Sequence, residues 1–224
     1  MGESLSLAAM MSDGGFASKC AAMTSSHFCT AERQYRMPVP YGSQRPPTAQ
    51  WTATASGCTI LAREGEGPYI THITCGKIVD KGVTDANNMG AAMAPAAYDS
   101  LAAFFRDTGT GPRDYDLVIT GDLGELGHAI VRDFFAKDGI DMGENFQDCG
   151  LLLYDRDKQD MHAGASGCGC SASVLNGYLL TEMRRGKWKN ILFAPTGALL
   201  SPTSSFQGES VPGICHVVQI SMKK

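Results

Sequence analysis

The sequence has no apolar run near the roughly 20 residues needed to cross a bilayer, and no basic stretch precedes an apolar one at its start. Neither a membrane helix nor a secretory signal is therefore expected. An excess of positive charge is also missing. Nineteen Lys and Arg against 23 Asp and Glu give a net charge of −4, which argues against nucleic acid as the main partner. The eight cysteines, at 20, 29, 58, 75, 149, 168, 170 and 215, form no CxxC pair, and their spacings fit no zinc module. Solenoid-length repeats, low-complexity tracts and a clear interdomain linker are absent as well. What remains is a chain with 43% hydrophobic and 19% charged residues, which can bury a sizeable core and is no candidate for disorder. Its 224 residues suffice for one large α/β domain or two small ones. A chain this apolar needs no disulfide staples, so the cysteines read as free thiols in a reducing compartment.

The pattern that is present mixes helices and strands. Residues 3–11 read as a helix with Leu5, Ala8, Ala9 and Met10 on an apolar side and Gly14-Gly15 as its stop. Strands are expected at 19–25, at 51–62 with an irregularity at Gly57, and at 69–79. Helices at 94–108, 124–137 and 171–185 then alternate with short apolar strands at 117–120, 151–154, 190–194 and 213–220. The sum is a layered α/β protein. The Gly-rich stretch 64–68 is the best seam between two halves. Residues 29–50, rich in proline and carrying Arg33, Tyr35, Arg36 and Tyr41, read as a long structured loop of the kind that carries function.

Four short segments could carry chemistry. Gly164-Ala165-Ser166-Gly167-Cys168-Gly169-Cys170-Ser171 runs into a helix, where small residues allow close approach and helix-start amides suit an anion or an oxyanion. Tight packing of a turn explains the same glycines equally well. Cys168 and Cys170 read better as inert thiols than as a metal pair. Thr24-Ser25-Ser26-His27 ends a strand, where α/β proteins place ligand groups. Gly121-Asp122-Leu123-Gly124 lies between a strand and a helix, with Asp122 either a helix cap or a ligand group. Thr196 to Ser201 follows another strand. His72, His128, His162 and His216 read as structural or solvated. If the strands are neighbours, the loops at 24–27, 121–124 and 196–201 and the turn at 164–171 converge on one pocket.

The segments TSSHFCTAERQYRMPVPYG (24–42), DLVITGDLGELG (116–127), FQDCGLLLY (146–154), GASGCGCSA (164–172) and FAPTGALLSPTSSFQGESVPGICHVVQI (193–220) resemble those of the stage V sporulation protein AD family of thiolase-like proteins. The likeness runs from about residue 3 to residue 220. It implies an α/β/α/β/α layered fold of two similar halves, with residues 1–66 the remainder of an incomplete first half and 67–224 the second. It also implies that the first strands of the first half are missing. In the condensing enzymes of this superfamily the nucleophilic cysteine begins a buried helix, and by resemblance it would lie just upstream of Met1. Gly121 stands where the ketoacyl synthases place a histidine, and the second partner falls at Met161 or His162 in one register and at Cys168 in another.

The resemblance therefore implies binding without catalysis. The expected ligand is dipicolinic acid (pyridine-2,6-dicarboxylate), free or as its calcium chelate, taken up into the developing spore with other stage V sporulation membrane proteins. His27, Ser26, Arg33, Asp122, Ser166, Cys168 and Thr196 are the expected ligand-binding residues. No cofactor, protein-bound metal or nucleic acid is implied. The expected location is peripheral, on the cytoplasmic side of the forespore or spore inner membrane, and the full-length form is expected to be a homodimer. The alternative is a ketoacyl synthase-like acyltransferase whose cysteine lies in the missing part.

Overall fold

The computed structural model describes residues 1–29 and 46–224. The chain opens with α1 (Gly2–Asp13), β1 (Lys19–Ser26), β2 (Trp51–Thr52) and β3 (Ala55–Ala62). Then come β4 (Tyr69–Thr74), α2 (Met89–Thr108), a 3-10 turn at Pro112–Asp114, β5 (Leu117–Thr120), α3 (Gly124–Lys137), β6 (Phe146–Asp148) and α4 (Cys149–Leu153). The remainder is β7 (Ala165–Ser166), α5 (Cys168–Val174), a π-turn at Leu175–Leu179, α6 (Leu180–Arg184), β8 (Asn190–Ala194), β9 (Thr196–Ala198), α7 (Pro202–Phe206), β10 (Gly213–Cys215) and β11 (Val217–Ser221).

Two sheets organise these elements. β1 and β3 pair antiparallel, Lys19 opposite Ala62 through Ser26 opposite Ala55. Along β3 the burial alternates residue by residue, the signature of a sheet covered on one face. The second sheet has the order β4-β11-β8-β5-β6, with β5 parallel to β6 and β8, and β11 antiparallel to β8 and β4. β5 is buried at all four positions, as a central strand covered on both faces must be.

One face of this sheet packs on α2 and α3 through Leu101, Phe104, Val118, Val131, Phe135 and Leu192. The other packs on α1 and the α5–α6 run through Leu5, Ile119, Cys170, Leu175, Phe193 and Ile220. The β1/β3 pair closes over the far side of those helices, since α1 and α5 both contact it. The result is the layered α/β order expected from the sequence, and the chain crosses from one sheet to the other between β3 and β4. No helix among the described residues is long and apolar enough to cross a membrane.

Several expected boundaries shift for local reasons. Residues 151–154, read as a strand, lie at the end of α4, and the strand is β6 just before it. A four-residue apolar run has no period of its own, so only its neighbours decide. The strand expected at 51–62 is two strands, β2 pairing with β7 and β3 with β1. That expected at 213–220 divides at His216, with β10 pairing to β9 and β11 to β8 and β4. The strand at 69–79 stops at Thr74, leaving Val79 only an isolated bridge to Gly213. α2 begins at Met89, five residues before the expected start, because the Asn88 side chain accepts a hydrogen bond from Ala91 N and caps it. Pro95 therefore lies inside the helix, fully packed.

A pH dependence follows from α3. The His128 ring stacks on Phe146 with centroids 4.3 Å apart, and its Nε2 lies 3.1 Å from the Phe146 carbonyl oxygen. A carbonyl only accepts, so Nε2 carries the proton. Burial lowers the pKa of His128; the Phe146 carbonyl opposes this and Arg132 adds to it. A histidine with a lowered folded pKa is protonated first in the unfolded chain, so stability falls as pH drops below about 6.5. His216, lowered chiefly by burial, acts in the same direction. The melting temperature of the protein is expected to decline between about pH 6.5 and 5. In His128→Phe, which keeps the stacking but cannot titrate, the decline should be shallower, and an unchanged slope in thermal melts would disprove the assignment.

Candidate functional site

Three segments from distant parts of the chain meet at the Asp122 carboxylate. Its Oδ1 accepts a hydrogen bond from Thr196 Oγ1 at 2.9 Å, and its Oδ2 accepts one from Gly167 N at 2.9 Å. These contacts tie the exits of β5 and β8 to the turn that starts α5. Gln50 adds a clamp, its Nε2 donating to the carbonyls of Asp122 at 2.7 Å and Ala165 at 2.9 Å. The Gln50 Oε1 is buried and has no partner among the described residues.

β1 reaches the same turn from the other sheet. Ser26 Oγ donates to the Ala53 carbonyl at 2.7 Å and accepts from Gly169 N at 2.9 Å. Thr24 Oγ1 donates to the Cys168 carbonyl at 3.0 Å and also approaches Met1 Sδ at 3.6 Å, so the first turn of α1 borders the cluster. Ser166 sits opposite Thr52 in the β2/β7 ladder, and its carbonyl accepts from Ala53 N. Beside that ladder Trp51 stacks on Phe28, with centroids 4.2 Å apart and planes within 14°, which gives a flat apolar surface.

The loop that presents Asp122 is itself held from beneath. Asp148, fully buried at the end of β6, accepts from Thr120 Oγ1 at 2.6 Å, Leu123 N at 3.0 Å and Gly124 N at 3.1 Å. Burial raises its pKa, and these hydrogen bonds oppose the shift.

Of the residues expected at a site, Ser26, Asp122, Ser166, Cys168 and Thr196 lie in this one cluster, joined directly or through their immediate chain neighbours. His27 follows Ser26 and is exposed, its Nδ1 accepting from Cys29 N at 3.2 Å. Arg33 falls outside the described residues. Gln50 and Asp148 were not anticipated. Gln50 carries no signal beyond following a proline-rich loop, and Asp148 reads as an ordinary polar residue until the β5/β6 pairing brings it under the Leu123 amide.

The amides of the turn are turned inward. Gly167 N serves Asp122, Gly169 N serves Ser26, and Cys170 N bonds the Gly167 carbonyl. Three nearby thiols are inert. Burial pushes Cys149, Cys170 and Cys215 well above the ordinary thiol range, and the Asp122 charge adds to the effect at each. Cys168 is exposed while Cys170 is buried with its Sγ toward the Gly121 carbonyl, so the two do not form a metal pair. Among the described residues no group of three His, Cys, Asp or Glu could hold a metal ion.

Gly121 is the position where a histidine would stand in a condensing enzyme of this resemblance. A Cβ there would fall 2.9 Å from Pro195 Cα and 3.0 Å from Thr196 N, so the backbone of the β8 exit would have to give way to admit a side chain.

These features place the protein among the thiolase-like folds. The 3-oxoacyl-[acyl-carrier-protein] synthase III of Aquifex aeolicus superposes with a TM-score of 0.55 at 13% identity, over 98% of this chain and 63% of that one. That of Pseudomonas aeruginosa superposes with a TM-score of 0.54 at 12% identity, over 98% of this chain and 63% of its own. At such identities the likeness shows the fold alone. The family is shown by sequence. The stage V sporulation protein AD family model matches residues 1–221, and the chain belongs to that family. Stage V sporulation protein AD of Bacillus subtilis (strain 168) is 45% identical over 216 residues, covering 96% of this chain and 64% of the relative. The chain thus spans a little under two thirds of the length of each of these proteins.

Proposed function

We propose that this sporulation-family chain binds pyridine-2,6-dicarboxylate at the Asp122 cluster, as its calcium chelate, and supports its uptake into the developing spore without making or breaking covalent bonds. The reading rests on one observation: the exits of β5 and β8 and the turn that starts α5 meet at a single carboxylate, beside a glycine packed closely on backbone. Charge decides the form of the ligand. A bare dianion placed at the cluster would meet the Asp122 carboxylate, and the Gly167 and Gly169 amides, two donors that could offset this, are already bonded within the protein. The 1:1 calcium chelate carries no net charge. Its calcium accepts six to eight oxygen ligands, so a carboxylate can join the coordination that the chelator begins. That suits a site with one acidic ligand and, among the described residues, no metal cage of its own. The Phe28–Trp51 stack offers a flat partner for the pyridine ring. Membrane proteins of stage V sporulation are the partners this role calls for, with the chain held peripherally at the membrane surface.

Acyl transfer has less support. Burial keeps the Cys149 and Cys170 thiols protonated, and a side chain at Gly121, where the resemblance places a histidine, would press on the Pro195 and Thr196 backbone.

Titration calorimetry of the protein with calcium dipicolinate, dipicolinate alone and calcium alone tests the proposal. The chelate should bind more tightly than either component. Asp122→Asn should weaken it tenfold or more, about 1.4 kcal/mol, with Thr196→Val losing less. Absence of heat and of thermal protection with all three would sink the reading, and tighter binding of free dipicolinate would overturn the chelate assignment.

A further inference from the structure

The acidic net charge hides where the cations stand. Of the nineteen Lys and Arg, six gather at one end of the molecule: Arg184, Arg185, Lys187 and Lys189 from the end of α6 to the start of β8, and Lys223 and Lys224 after β11. α6 stops because Gly186 takes a left-handed conformation, φ +84°, which turns the chain out of the helix. β8 and β11 run antiparallel, so the start of one lies beside the end of the other, Asn190 opposite Ser221. Met222 N donates to the Lys189 carbonyl at 2.7 Å, and Arg184 and Lys224 line one groove. All six residues are exposed. Among the described residues, Arg185 alone of the six is in an ion pair, with Glu182 at 2.8 Å. The nearby Asp116 carboxylate accepts from the amides of Lys189 and Asn190, at 2.6 and 3.0 Å. Asp13, Glu64 and Glu66 bound the patch across the groove.

An aromatic pair sits among these cations. Trp188 and Tyr178 meet edge to face, with centroids 5.6 Å apart and planes at 88°. Tyr178 is 39% exposed, and Trp188 packs on the core beneath. Lys187 Nζ lies 4.5 Å from the Trp188 ring centre and 5.2 Å from that of Tyr178, and donates to the Tyr178 hydroxyl at 2.8 Å. Rings with an apolar body and a polar tip, set beside about four to eight cations, suit the headgroup layer of an anionic bilayer. A polynucleotide fits less well. Stacking of a base needs a free ring face, and here the Lys187 ammonium stands over both rings.

We infer that this end of the chain is a docking surface for an anionic lipid bilayer, with Arg184, Arg185, Lys187, Lys189, Lys223 and Lys224 facing the headgroups and the Trp188–Tyr178 pair at the centre. β8 separates the patch from the Asp122 cluster, since the patch precedes the strand and Thr196 follows it. Five residues at about 3.3 Å each set the two about 16 Å apart. With the patch on the lipid, the candidate site faces away from it. The inference deepens the peripheral placement proposed above by naming the surface that makes the contact, and it is separate from the identity of the ligand.

Flotation with phosphatidylcholine vesicles, with and without phosphatidylglycerol as a minor lipid, tests it. Capture by the phosphatidylglycerol vesicles alone is expected, and it should fall as salt rises, because salt screens exposed charges. Each Lys or Arg at such a surface contributes about fivefold in affinity. Lys187→Gln combined with Lys189→Gln should therefore weaken capture about tenfold or more. Lys137→Gln combined with Lys158→Gln, the same change of net charge at exposed residues elsewhere, should leave capture unchanged. The Lys187/Lys189 variant should also keep its affinity for calcium dipicolinate in calorimetry, so lipid binding and ligand binding fail separately. Equal capture by pure phosphatidylcholine would trace the contact to exposed apolar residues such as Met23 and Ile60 and overturn the inference. Capture by neither vesicle would overturn it too, and would leave membrane placement to protein partners. Equal losses in the two double variants, or tighter binding of duplex DNA than of the anionic vesicles, would do the same. The comparison of lipids and salt decides the matter on the unsubstituted chain even if a variant misfolds.

Discussion

Asp148→Ala is expected to lower the unfolding free energy by about 3–5 kcal/mol, one of the largest losses open to a single truncation here. The side chain is fully buried and serves three donors at once: the Thr120 hydroxyl and the amides of Leu123 and Gly124. Alanine leaves the Leu123 and Gly124 amides without this acceptor, at about 1–3 kcal/mol for each buried donor, while the Thr120 hydroxyl keeps the Gln147 carbonyl at 3.3 Å and water entering the space recovers part of the loss. Asp148→Asn keeps one oxygen and should cost about half as much. Urea unfolding monitored by circular dichroism would separate the cases: the midpoint should fall in both variants while the slope stays constant. The substitution also reaches the site, since the two amides fix the loop whose preceding residue is Asp122. Ligand affinity should drop with stability in Asp148→Ala and be largely kept in Asp148→Asn. A midpoint in Asp148→Ala within experimental error of wild type would show that the loop is held by other contacts.

Asp148 also marks how far the sequence could be read. Helix and strand type were legible wherever the apolar pattern was long or fully buried, as in α3 and in the LVIT run of β5, because burial on one stripe or on both faces writes itself into residue choice. Elements defined by a partner were not legible. β2 has two residues and exists because β7 lies beside it, and the break at His216 reflects β10 and β11 answering to different strands. The site divides the same way. Asp122, Ser166 and Thr196 could be picked out because each sits at a strand exit or a glycine-rich helix start, places where backbone groups are left over. Gln50 and Asp148 act through carbonyls and amides supplied by segments 72 to 115 and 24 to 28 residues away in the chain. No local signal announces contacts of that span. The inward use of the turn amides was hidden for the same reason, since Asp122 and Ser26 claim them across the fold.

The closeness of the two sheets at this point yields the second large effect. Gly169 stands on α5 where the helix passes the end of β3. A Cβ built there would lie 2.2 Å from the Ala55 carbonyl oxygen, 2.8 Å from its carbon and 2.7 Å from Ser26 Oγ. Two of the three obstacles are backbone, so no rotamer change relieves the clash and the helix start must move off the β1/β3 pair. That movement stretches the Gly169 N to Ser26 Oγ bond and the Thr24 Oγ1 to Cys168 carbonyl bond, which link the sheet to the turn. Overpacking usually costs about 1–3 kcal/mol; with backbone obstacles and two hydrogen bonds strained, Gly169→Ala should cost about 3 kcal/mol or more and weaken ligand binding tenfold. Helix propensity alone predicts the opposite sign, a gain of up to about 1 kcal/mol. Gly177→Ala supplies the comparison, because it lies on the same helical run with nothing within 4 Å of a new Cβ and should be neutral or stabilising. Paired thermal melts decide between contact and propensity. If Gly169→Ala melts no lower than Gly177→Ala, the close approach of α5 to β3 is not what joins the two sheets at the site.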